Sequence, residues 1–132
     1  MSKAKIVRDS EGRFYGIKWI CPGCDVDTRG TGLHVLPVNW LPAGETVESP
    51  LVAGKPHWGF NGDLDRPVFT PSVLSTWDEW QGDGVPPKKH VCHSFVGCNG
   101  AQPGQITFLG DCTHDLKGTT VDLSDAGKQP HE

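Results

Sequence analysis

Nowhere does this 132-residue chain carry an apolar run long enough to cross a bilayer, and none follows the basic residues of MSKAKIVRDS. Both absences exclude a membrane-spanning reading and lead us to expect a cytoplasmic protein. A basic surplus is missing too. Lys and Arg number 12 against 16 Asp and Glu, for a formal net charge of −4. Nucleic-acid backbones need a concentrated positive surface, so nucleic acid is not an expected partner. Five cysteines make an odd set in a chain without an export signal, which argues against a disulfide framework and for metal or thiol chemistry. Internal repeats, low-complexity blocks and long helix-forming stretches are lacking as well.

Glycine and proline are abundant instead, at 17 and 11 residues, and they punctuate short extended runs. The expected architecture is one small, mostly β, loop-rich and zinc-stabilised domain over residues 1–123, with one or two short helical turns, followed by a flexible polar tail at 124–132. Residues 3–8 and 13–20 read as a hairpin around Asp9 to Gly12, with Tyr15, Ile17 and Trp19 on one face. Further strands are expected at 33–38, 90–96, 105–109 and 119–123. An edge or bulged strand, interrupted by Pro67 and Pro71, is expected before residue 77. Residues 41–57 and 81–89 read as long loops, the first of them a place for an insertion or a lid. A single helical turn is expected over 113–117, capped by Asp111 and stopped by Gly118.

The strongest local motif is CPGC at 21–24. Pro22 and Gly23 permit a tight turn that lets both thiolates reach one ion, half of a tetrahedral zinc site. His34, on the following strand, and Cys92, in HVCHSF at 90–95, supply the other half. The expected site is therefore Cys21, Cys24, His34 and Cys92, closed and structural. Cys98, His90 and Cys112 remain alternatives for the fourth ligand. A thioredoxin-like redox pair would open a helix, whereas the flanks here read as strand and loop.

Strand alternation separates the neighbours of HVCHSF. If Cys92 faces the metal, His93 faces the opposite side, towards Ser72, Asp111, Cys112 and His114. Nucleophilic catalysis needs a hydroxyl or thiol beside a base and a third group that orients the base. His93 or His114 can be the base, Asp111 the orienting carboxylate, and Cys112 or Ser72 the nucleophile. Backbone N–H groups at the start of the 113–117 turn are candidate oxyanion donors. Plainer roles stand beside these: His93 as a hydrogen-bonded core histidine, Asp111 as a cap, Cys112 as a small buried apolar residue.

HVCHSFV, ITFLGDCTHDLKGTTVDL and the earlier WGFNGD and PVFTPSVL together resemble a family of small phage and bacterial zinc-binding proteins, often labelled ammonia monooxygenase. That label belongs to a membrane-bound complex, and no segment here spans a membrane. Relatives occur in bacterial operons beside ubiquitin-like proteins and their activating and conjugating enzymes. The resemblance, over roughly residues 19–123, implies a peptidase-like role on ubiquitin-like conjugates, in the host cytoplasm if the gene is viral. Some relatives carry serine at the position of Cys112, an exchange that suits a nucleophile better than a zinc ligand. The rival expectation is a noncatalytic structural-zinc module that binds a protein, such as a host factor.

Overall fold

β-branched and aromatic residues in KIVR and FYGIKWI favour two extended strands, and a polar turn between them lets the chain reverse. In the computed structural model, which describes residues 2–27 and 32–125, these become β1 (Lys5–Arg8) and β2 (Phe14–Ile20). The Asp9 carboxylate accepts the N–H groups of Glu11 and Arg13, each at 2.9 Å, and so holds the turn. The register shifts between Val7 and Arg8, where Gly16 and then Phe14 face the partner strand. This irregularity puts Phe14, rather than Tyr15, into the core beside Ile17 and Trp19. β3 (Leu33–Leu36) completes the sheet on the other side of β2, with His34 opposite Trp19. Gly16 is required there, because a Cβ would run into the Leu36 carbonyl.

The second sheet is an antiparallel meander of β4 (Gly59–Phe60), β5 (Phe69–Glu79), β6 (Lys88–Val96), β7 (Gln105–Phe108) and β8 (Thr120–Asp122), neighbours in that order. The β5–β6 register shifts between Phe69 and Val73, so the bulge anticipated from the two prolines is present and contains Ser72. Aromatic rings bind the two sheets together. Trp19 stacks on Phe69 at 4.9 Å, Phe69 on Phe60 at 5.1 Å, and Trp40 meets Phe60 and Phe14 edge-on. Each large side chain removed fully from water contributes roughly 2–3 kcal/mol to joining the layers.

Three local expectations change. CPGC does open a helix, the short α1 (Pro22–Asp27). The 113–117 segment forms successive turns rather than a helical turn, closed by Lys117 N–H on the His114 carbonyl and Thr119 N–H on that of Leu116. The 41–57 loop is fastened down: Ser49 caps a 3-10 turn at Pro50–Val52, Val52 is fully buried, and bridges pair Phe14 with Glu48 and Val38 with Trp58. The tail expected at 124–132 lies outside the described residues from position 126 onward. No helix among the described residues is long and apolar enough to cross a membrane.

Candidate active site and metal centre

The β5–β6 ribbon serves two sites because a strand sends successive side chains to opposite faces. In its register Leu74 faces His93 and Ser75 faces Cys92. Cys92 and Ser75 point inward, towards the first sheet. His93 points outward, where Ser72 and Asp111 meet it.

On the inner side, the ligand atoms of Cys21, Cys24, His34 and Cys92 all lie within 4.8 Å of one another. Cys21 Sγ is 3.6 Å from Cys92 Sγ, and Cys24 Sγ is 3.5 Å from His34 Nε2. A tetrahedral zinc ion with Zn–S bonds of about 2.3 Å places its sulfur ligands roughly 3.8 Å apart, close to these separations. All five cysteines are free of disulfides. The three thiols share protons: hydrogen bonds from Cys24 and then Cys92 hold the Cys21 thiol below its ordinary range, which is the thiolate character a metal ligand needs. The Ser75 hydroxyl lies 3.2 Å from His34 Nδ1 and fixes the ring with Nε2 turned towards the thiols. That residue escaped the sequence reading; its only signal is its place opposite Cys92. These side chains could hold a metal ion.

Cys112 and His114 sit near this inner cluster. Their ligand atoms and that of Cys92 also lie within 4.8 Å of one another, and all three residues are buried. Cys112 Sγ is 3.2 Å from both the amide and the carbonyl of His93, and burial pushes its thiol pKa up. His114 packs edge-on against Phe108 at 4.5 Å and accepts the Leu116 N–H at Nδ1. A Cβ on residue 23 would penetrate the His114 ring, which explains the glycine of CPGC. No hydrogen bond joins the His114 ring to Ser72, His93 or Asp111. Cys98 bonds instead to the Phe69 carbonyl, and His90 stacks on Trp77 and meets Glu79 at 2.7 Å.

On the outer side three groups stand in line. His93 Nε2 is 3.1 Å from Ser72 Oγ, and His93 Nδ1 is 3.1 Å from Asp111 Oδ2. A carboxylate only accepts, so Nδ1 carries the proton and donates it to Asp111, leaving Nε2 to accept the Ser72 hydroxyl. The line is open to solvent, with the His93 side chain 27% and that of Asp111 57% exposed. The first of the expected oxyanion donors is otherwise engaged: Thr113 N–H bonds to the Val91 carbonyl at 3.0 Å.

The family model described as bacterial ubiquitination-like system serine protease, BubE, matches residues 2–103. The chain belongs to this family. The matched span contains Ser72, His93 and all four inner ligands, and Asp111 follows it. No curated protein and no solved structure matches the chain.

Proposed function

We propose that this protein is a serine hydrolase that cleaves an amide, ester or thioester bond in conjugates of a ubiquitin-like protein. Its nucleophile is Ser72, its base His93 and its orienting carboxylate Asp111. The observation that carries the reading is the unbroken line from Ser72 Oγ through both nitrogens of His93 to Asp111, with 3.1 Å at each step. As Ser72 Oγ attacks the carbonyl carbon, His93 Nε2 takes its proton, and Asp111 stabilises the imidazolium that forms. His93 then returns that proton to the leaving amine, hydroxyl or thiol. Water, deprotonated by the same nitrogen, releases the acyl group and restores Ser72. The family description supports both the serine chemistry and the ubiquitin-like setting.

The inner cluster holds zinc in this proposal, through Cys21, Cys24, His34 and Cys92. Four protein ligands leave no open position, so the ion supplies cross-linking of α1, β3 and β6. The test is labelling with a fluorophosphonate. The wild type gains one adduct at Ser72 by peptide mass spectrometry, and Ser72→Ala and His93→Ala gain none while keeping their metal. An unlabelled wild type that still binds a ubiquitin-like protein favours the noncatalytic module.

A further inference from the structure

The longest strand of the protein is left half-paired. β4 covers β5 only at Phe69 and Thr70, whereas β5 continues to Glu79 with β6 on its other side. The backbone groups on the uncovered side can be named from the ladder. In β6, the Val91 amide bonds to Thr113 Oγ1 and its carbonyl accepts Thr113 N–H; the His93 carbonyl accepts Leu109 N–H. Val91 and His93 therefore turn their backbone away from β5. In an antiparallel pair the residues opposite them do the same. Leu74 faces His93 and Thr76 faces Val91, so Leu74, Thr76 and, two residues on, Asp78 point their N–H and C=O groups out of the sheet. Among the described residues none of these groups has a hydrogen-bond partner.

An uncovered edge of this length is a template for another strand, and proteins ordinarily blunt such edges. Here the edge begins at the proposed nucleophile. At that end it is closed: the indole Nε1–H of Trp58 donates to the Ser72 carbonyl at 3.1 Å, and beyond it β4 takes over the pairing. The Leu74 side chain, 56% exposed, stands beside His93 on the same face.

We infer that the substrate's acyl segment binds as an extra antiparallel strand along Leu74 to Asp78, delivering its terminal carbonyl to Ser72. This rests on the Ser72 reading above. Antiparallel pairing runs the segment from Asp78 towards Ser72, so recognition falls on the acyl side alone, and the leaving group lies past the closed end. The substrate class is then an extended C-terminal tail joined to varied amines or hydroxyls, recognised through its main chain.

The experiment uses coumarin amides of the last eight residues of the ubiquitin-like protein from the same system, with each amide N-methylated in turn. Expected is a period of two: about tenfold loss in kcat/KM at alternate amides, and little change between them, since each blocked amide removes one main-chain hydrogen bond. Thr76→Pro removes an outward N–H without touching the β6 ladder, and it lowers kcat/KM for the unmodified peptide about tenfold with an unchanged melting temperature. Should that variant unfold, the N-methyl scan decides alone. Ser72-dependent hydrolysis of p-nitrophenyl acetate reports the underlying chemistry separately. Where that hydrolysis is present, an uncleaved peptide or a scan without alternation overturns the edge. Where it is absent and no peptide is cleaved, the serine hydrolase reading fails first.

Discussion

Cys92 and His93 are neighbours in β6 whose side chains leave opposite faces of one sheet. Cys92 Sγ lies 3.6 Å from Cys21 Sγ, and His93 Nε2 lies 3.1 Å from Ser72 Oγ. Whatever holds Cys92 in place therefore also sets the height of His93 above the outer face. The cysteine–histidine cluster and the serine–histidine–aspartate line share one strand's backbone.

Metal content comes first. Protein purified without added metal should contain about one equivalent of zinc by elemental analysis. Cys21→Ser should lose the ion and about 4 kcal/mol or more of stability in urea melts, because binding at a closed structural site is folding free energy. An unchanged midpoint would remove the cluster from the metal sites.

For the serine line, Ser72→Ala and His93→Ala should each lower kcat/KM by about 10⁴-fold or more, and Asp111→Asn by about 10⁴-fold, as the wrong tautomer of His93 becomes favoured. All three should keep their zinc. Loss of the ion in His93→Ala would show that the two faces are not independent.

Cys112 distinguishes the two nucleophile readings. Its thiol is buried against the His93 backbone, so Cys112→Ala should cost about 1 kcal/mol of stability and change kcat/KM less than tenfold. Iodoacetamide should leave Cys112 unmodified in the folded protein, as checked by peptide mapping. Abolished cleavage in Cys112→Ala, with the fold intact, would return the nucleophile to Cys112.

Acid should loosen the first hairpin. Asp9 has its pKa lowered from 3.8 to about 2, first by a hydrogen bond from Ser49, and also by the Arg13 and Glu11 amides and the Arg13 side chain. A depressed carboxylate contributes stability that is complete above its unfolded pKa and is lost as pH falls through the folded one. The stability difference between wild type and Asp9→Asn should thus be constant at neutral pH and shrink between about pH 4 and pH 2. A difference that persists at pH 2 would mean that Asp9 acts through packing.

Much of this arrangement follows from local rules. Period-two alternation in HVCHSF separates Cys92 from His93 in any strand, and CPGC brings two thiols together in any tight turn, since both depend only on neighbouring residues. The hairpin around Asp9 and the bulge near Pro71 are local in the same sense.

Local rules could not choose the partner of His93. The sequence offers both Cys112 and Ser72 and leans to Cys112; each lies in a different element at a separation that no short-range pattern measures. The choice comes from the β5–β6 register and its shift between Phe69 and Val73, which carries Ser72 to Nε2, while the chain after β7 lays Cys112 against the backbone of His93. The same pairing left β5 uncovered beyond Thr70. A strand's own residues determine which side chains share a face; only its neighbours determine which edge stays open, because backbone pairing is satisfied between strands and not within one.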